Sequence, residues 1–463
     1  MKRWRDPAWA CFCVALLLRL VLVWWAAGRF PPAADGAFYH VVAGRIAQGL
    51  GYTWAWPDGA VTYAAHYPVG YPAVVGALYW LFGPKPWSAM LFNALVGAGA
   101  AWAAVRILEE TSSRRGAWVG GLAIALHPSL LFYTPALMTE GVVAAGVLIL
   151  GAVARTKLGR RPGWGVAVLG FGLGALTLMR PQLIVLAPLF GLLASRANGA
   201  RRLLRAAMIG IVAVMVTLPW TARNCARMDR CVWISANGGW NLLIGAGEHA
   251  TGAWLSVEDV GFPDECREVW GEAAKDMCFR RAARRRILEH PGVWLGLVPA
   301  KLSHTFDYGD APGWYLHTSN ADAFPELPRA LLFGWELLWL RFTAGALLLG
   351  LAARGAGGSV SRCRVRRALA LIGAPFLFLK WLWPAYVVIL VLLALFPRRP
   401  PALQMAFWTL GTTLMTHAVF FGATRYALVT TPALVVAAIG ALTLQGRRGD
   451  TGAEENLDAA DRN

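Results

Sequence analysis

From Pro7 to Leu444 the sequence repeats one pattern, a long apolar run followed by a short gap carrying arginine or lysine. The runs are roughly 17–25 residues long, the length a helix needs to cross a bilayer core. The expected fold class is therefore all-α, a polytopic membrane helical bundle.

The formal net charge of +18 invites a nucleic-acid reading, but the distribution of the charge argues against it. The basic residues sit between apolar runs, at Lys2/Arg3/Arg5, Arg114/Arg115, Arg155/Lys157/Arg160/Arg161, Arg196/Arg201/Arg202/Arg205, Arg362/Arg364/Arg366/Arg367, Arg398/Arg399 and Arg447/Arg448. Short basic gaps of this kind mark cytoplasmic loops. Placing all of them on one side gives about twelve spans with both termini in the cytoplasm: 8–28, 87–109, 115–133, 138–156, 163–179, 181–195, 203–221, 328–352, 366–380, 382–397, 403–421 and 424–444. The apolar stretch 70–83 is too short to cross, and counting it would turn three basic clusters outward. It reads as a re-entrant or interfacial helix.

Four regions follow. Residues 1–221 form an N-terminal transmembrane module with a first outer loop, 30–86, containing short helices. Residues 222–327 form a large extracytoplasmic loop with helix near 264–289, and 328–444 a C-terminal transmembrane module. The polar tail 445–463 is expected to be disordered in the cytoplasm. Cys225, Cys231, Cys266 and Cys278 all fall in the large outer loop, where two disulfides are permitted, with the pairing open. Cys11, Cys13 and Cys363 receive no role.

In so apolar a chain the acids carry information. Glu140 is the one carboxylate between Glu110 and Asp229, at the expected outer start of the fourth span. An ionisable group there is a functional candidate, although a first-turn Glu also suits the helix dipole. Asp35 follows the first span directly. It suits an N-cap for a helix from Gly36 to about Gln48, and equally a carboxylate at the membrane rim acting as base toward a hydroxyl. Arg180 and Arg425 stand at outer helix ends, where a guanidinium can make bidentate bonds to phosphate. Arg19, Glu336 and Arg341 read as structural polar contacts. The eight histidines lack metal-site spacing; His66 is the one singled out for substrate contact. A metal is left open, with a divalent cation admissible and no cofactor required.

In order along the chain, Asp35…Phe38-Tyr39…Gly49-Leu50-Gly51-Tyr52, His66-Tyr67-Pro68-Val69-Gly70-Tyr71-Pro72, Leu137-Met138-Thr139-Glu140, Met179-Arg180-Pro181, Pro219-Trp220-Thr221-Ala222-Arg223-Asn224, Asn237-Gly238-Gly239-Trp240-Asn241 and Thr424-Arg425-Tyr426 resemble motifs of the GT-C superfamily of membrane glycosyltransferases. The likeness is to its bacterial branch related to protein mannosyltransferases and lipid A aminoarabinose transferases. Departures are Gly36 where a second acid would stand, Val69 in place of a proline, and no soluble C-terminal domain.

The resemblance implies a GT-C bundle in a bacterial plasma (inner) membrane, working on the extracytoplasmic face. It implies transfer of a sugar from a polyprenyl-phosphate donor to a hydroxyl of a glycan, lipid or protein acceptor, with membrane lipids as the surroundings. Asp35 is then similar to the general base and Glu140 to the second acid. Arg180 and Arg425 would hold the donor phosphate, and Tyr39, His66 and Tyr426 would contact substrate. The rival readings are a secondary transporter, which shares the span count but usually shows repeated halves, and a polysaccharide polymerase or ligase.

Overall fold

The computed structural model describes residues 6–195, 199–353, 360–396 and 400–443. The tail 445–463, Leu444 and the basic residues Lys2, Arg3, Arg5, Arg196, Arg398, Arg399, Arg447 and Arg448 lie outside them.

The described chain is a helical bundle. Four helices are long and apolar enough to cross a membrane by themselves: Pro7–Ala26, Pro86–Leu108, Ala200–Arg227 and Glu326–Ala353. Shorter helices occupy the other expected spans, and several are interrupted. Pro181–Leu186 and Thr424–Val429 are 3-10 turns that lead into Ala187–Ala194 and Thr431–Thr443, and His127-Pro128 breaks one expected span into Arg114–Leu126 and Pro128–Phe132. Large apolar side chains face outward around the bundle, among them Trp24, Phe171, Phe342 and Met415. Apolar exposure on that scale fits lipid and not water.

Small residues set the packing. Helix Pro86–Leu108 buries Ala94, Ala98, Ala101 and Ala104, and it packs against Pro7–Ala26, Arg114–Leu126 and Thr139–Arg155. Between membrane helices there is no hydrophobic drive, so close backbone approach over such residues supplies the association. A second core gathers Leu347, Leu351, Ile389, Leu392, Leu410 and Leu434 in the C-terminal half. Asp6 begins the first helix by accepting from the Ala8 amide at 3.0 Å, with Pro7 in the first turn, and pairs with Arg106 of the second long helix.

Three features depart from the sequence reading. The segment expected as the first outer loop, 30–86, holds a hairpin, Thr53–Ala55 against Val61–Tyr63, whose strands are too short to show a strand period. Helix Ala200–Arg227 runs six residues beyond the expected end of its span, through Pro219, so Arg223 and Asn224 are helical. Asp35 is not an N-cap. It is the first residue of helix Asp35–Ala47, whose cap is Ala34 with no side-chain bond. Ala34 sits at φ 50°, a region an L-residue occupies at a cost of about 1–3 kcal/mol. That backbone turn leaves the Asp35 carboxylate free to point elsewhere.

Outside the bundle, the large loop folds around helix Glu272–Glu289, with Val260, Phe279 and Ala283 in its own small core. The expected helix from residue 264 is in fact a turn at Asp264–Cys266 followed by that helix. Disulfides join Cys225 to Cys231 and Cys266 to Cys278.

Candidate active site

Four helix ends meet at one end of the bundle, and each contributes a charged side chain. Asp35 begins helix Asp35–Ala47, Glu140 lies in the first turn of Thr139–Arg155, Arg180 follows Pro162–Thr177, and Arg425 opens the 3-10 turn Thr424–Val429. Arg425 Nη1 donates to Asp35 Oδ2 at 2.8 Å, and its Nε lies 3.6 Å from Glu140 Oε1. Arg180 pairs with Glu140 through Nη2 and donates from Nε to Thr139 Oγ1 at 3.1 Å. The four side chains form one continuous chain of alternating charge. Glu140 is buried at 1% exposure, while Asp35 and the two arginines stay between 12% and 21% exposed, so the outer members can be reached.

Tyrosines orient the acids. Tyr67 donates to Asp35 Oδ1 at 3.0 Å, and Tyr133 donates to Glu140 Oε2 at 3.1 Å. Burial and the nearby Asp35 carboxylate push the Tyr67 phenol upward, so it keeps its proton and remains a donor. Each Asp35 oxygen therefore has a partner, which fixes the carboxylate plane. Tyr39 is buried and packs edge-on against Tyr67 and Tyr71. His66 reaches neither acid. Its ring packs edge-on against Tyr67 at 4.7 Å and Trp240 at 5.2 Å, and burial pushes the imidazole down to about 4 despite Asp35. The expected substrate-contact position of His66 is thus one layer behind, with Tyr67 in front of it.

The backbone under the acids is held by a residue the sequence reading missed. Tyr315, in helix Ala311–Ser319 of the large loop, is buried, and its hydroxyl accepts from the Leu137 amide at 3.1 Å and the Ala33 amide at 3.4 Å. One oxygen thus ties the approach to Glu140 to the approach to Asp35. Gly36 explains itself here: a Cβ at that position would stand 2.9 Å from the Tyr315 hydroxyl and 3.0 Å from the Leu137 carbonyl. A second acid has no room. Gly70 serves a similar close approach, its amide donating to the Leu178 carbonyl at 2.8 Å, two residues before Arg180.

Beside Arg180 a cleft of about 340 Å³, its open mouth included, runs between helix Pro401–Val419 and the Pro181–Leu186 turn. Arg180, Gln182, Tyr426 and His417 line it, together with Thr412, Thr413 and Thr416 on one helix face. Both guanidinium groups lie 5.2 Å from the Tyr426 ring centroid, and His417 stacks on that ring at 4.3 Å. The cleft is therefore bounded by a cation, an aromatic ring and hydroxyls.

As a cation site the cluster is a poor fit. Asp35 and Glu140 each face a guanidinium, so their charge is already answered, and no group of three or more His, Cys, Asp or Glu gathers to hold a metal among the described residues. Arg19, Glu336 and Arg341 form no ion pair with the cluster among the described residues. Glu336 accepts from the Asp310 amide at 2.8 Å, and Arg341 donates to the Leu377 and Leu379 carbonyls, contacts that join helix Glu326–Ala353 to its neighbours.

No family model and no curated protein matches the sequence. Solved structures do. The chain is similar to archaeal oligosaccharyltransferase AglB from Archaeoglobus fulgidus, solved with an inhibitory peptide and a dolichol-phosphate, at 14% identity and TM-score 0.46, over 95% of this chain and 50% of that one. It is similar to ArnT from Cupriavidus metallidurans bound to undecaprenyl phosphate at 16% identity and TM-score 0.38, over 94% of this chain and 77% of that one. The chain thus spans about half the length of the oligosaccharyltransferase it matches. With TM-scores below 0.5, what this chain does rests on its own residues.

Proposed function

We propose that the protein is a glycosyltransferase that moves a sugar from a polyprenyl-phosphate donor to an acceptor hydroxyl at the extracytoplasmic face of a bacterial plasma membrane, within a bundle of twelve crossings. The observation that carries this reading is the chain Asp35–Arg425–Glu140–Arg180, whose Arg180 end lines the cleft. The order of the motifs that resemble the GT-C superfamily supports it.

The chemistry follows from the pairing. Arg180 lines the cleft and its Nη1 has no partner among the described residues, so this nitrogen is the one available to a donor phosphate. As the phosphate docks it also draws on Arg425, which loosens the hold on Asp35 Oδ2 and leaves Tyr67 to keep the carboxylate in plane. Asp35 then takes the proton from the acceptor hydroxyl. The acceptor oxygen forms its bond to the anomeric carbon as the carbon–phosphate oxygen bond breaks. The leaving lipid phosphate carries off that electron pair, and the arginines stabilise its charge. Attack opposite the leaving group inverts the anomeric centre. Glu140 holds both guanidinium groups at their spacing. Tyr426, stacked on His417 and under both guanidinium groups, contacts the donor from the cleft wall, and the cleft hydroxyls suit polar groups.

A transporter reading is disfavoured by the unequal placement of the long loops, 30–86 and 222–327, where transporters usually show repeated halves. The experiment is to supply membranes containing the protein with a panel of radiolabelled polyprenyl-phosphate sugars. Labelled acceptor together with free polyprenyl phosphate supports transfer. Label that only crosses the membrane, with the donor intact, overturns it in favour of transport.

A further inference from the structure

Arg19, the one cation of helix Pro7–Ala26, is buried at 1% exposure, and its charge is unanswered. Its Nη1 donates to the Ala15 carbonyl at 3.2 Å and the Ala125 carbonyl at 3.4 Å. Its Nε has no partner. Nη2 has none either among the described residues, and no carboxylate pairs with the group there. A guanidinium has five N–H donors, and at least three of these are idle. An isolated charge buried in a membrane bundle is costly, and one left in place marks a partner or a function.

The partner has a place to sit. Arg19 lines a chamber of about 400 Å³, mouth included, walled by Asn93, Gly97, Tyr133, Thr134 and Met138 and closed by Pro432. Gly97 makes the space for the guanidinium, since a Cβ there would stand 2.6 Å from Arg19 Nε. Thr134 is buried at 4% exposure and its hydroxyl has no partner among the described residues, so it also faces the chamber as a donor. The Asn93 amide group is fully engaged, its Nδ2 by the carbonyls of Thr134 and Ala136 and its Oδ1 by Tyr71. It offers no charge to Arg19. The active-site cluster offers none either, because its two acids and two arginines balance one another.

We infer that this chamber is a binding site for a small inorganic anion of chloride's size and charge, held by Arg19 and the Thr134 hydroxyl. Two convergent donors, one of them cationic, in an apolar enclosure suit a monovalent ion. Tyr133 forms the wall between the chamber and Glu140, so the ion neutralises Arg19 without entering the acid–arginine cluster. Its role is to hold the junction of helices Pro7–Ala26, Pro86–Leu108 and Thr139–Arg155 together behind the site.

The test uses the full chain in lipid nanodiscs. Thermal unfolding is followed while sodium gluconate is exchanged for sodium chloride at constant ionic strength. The wild type is expected to rise in unfolding temperature along a saturating curve, as binding to the folded state alone requires. Arg19→Gln is expected to lose the response, and Thr134→Val to shift the half-saturation to higher chloride. Should Arg19→Gln fail to fold, the wild-type curve and Thr134→Val decide. An unsaturating wild-type response equal to that of the variants overturns the site and leaves water as the occupant. Sugar transfer is not read, so this outcome stands apart from that of the function proposed above.

Discussion

Arg425 Nη1 and Asp35 Oδ2 are 2.8 Å apart although 390 residues separate them in sequence. The pair joins the start of helix Asp35–Ala47 to the last helical segment. Replacing Arg425 by Lys keeps the charge and loses the fork that spans Asp35 and Glu140. The expected result is a fall in kcat with protein level unchanged, and a steeper fall for Arg425→Ala, measured on membranes with matched expression.

Arg180 is the other test of the electrostatic account. Its free Nη1 and its position on the threonine-lined cleft assign it to the donor. A hydrogen bond to a charged group contributes about 1.5–3 kcal/mol, so Arg180→Ala is expected to raise the donor KM roughly 10- to 100-fold. The acceptor KM should move little. Equal shifts in both would remove Arg180 from donor binding.

Tyr315→Phe deletes one oxygen and leaves two amides, Ala33 and Leu137, without their acceptor. Leaving such groups unsatisfied costs about 1–3 kcal/mol each, and here the cost falls on the backbone beneath both acids. Lower kcat at near-normal KM is expected, with Gly36→Ala showing the same pattern by pushing on the same hydroxyl. A loss of stability with normal kcat would make Tyr315 a packing residue only.

Glu272 predicts a pH effect in the outer loops. It accepts from the Ala65 amide at 2.5 Å, clasping the strap that carries Tyr67, with Arg223 and Asp229 as its charged neighbours. Burial raises its pKa from 4.5 to about 7, partly opposed by the amides and by Arg223. In that interval the folded chain holds a proton the unfolded chain has released, so stability declines as pH rises from 4.5 toward 7. Glu272→Gln should flatten this slope in a thermal-unfolding series. An unchanged slope would place Glu272 outside the titration.

The disulfide pattern is also open to chemistry. Peptide mapping under non-reducing conditions is expected to give Cys225–Cys231 and Cys266–Cys278. Loss of the second bridge in Cys266→Ser should destabilise the large loop by about 2–4 kcal/mol, seen as faster proteolysis near helix Glu272–Glu289. A cross-link between Cys231 and Cys266 would contradict the fold of that loop.

Much of this was legible in residue order. Apolar run length marked the helical segments, and the rarity of acids in them drew attention to Glu140. The arginines at helix ends stood out for the same reason. What could not be read was orientation. Asp35 had the composition of an N-cap, and only the backbone turn at Ala34 shows that its carboxylate leaves the helix for Arg425. Likewise Tyr67, not the more reactive-looking imidazole of His66, lies against the acid. Tyr315 lies some 280 residues from Ala33 and in a loop without periodic pattern, so no local signal announced it. Its trace was indirect: a glycine at position 36, where the resembling family carries a second acid.

The proposed transfer depends on Asp35 acting as a base at the end of the charge chain opposite Arg180, and the most direct measurement compares wild type with Asp35→Asn in the radiolabelled-donor assay at equal membrane content. Removal of a general base costs about 10²–10⁴-fold, so the account predicts transfer reduced by at least two orders of magnitude, with donor binding retained. Transfer at the wild-type rate in Asp35→Asn would contradict it.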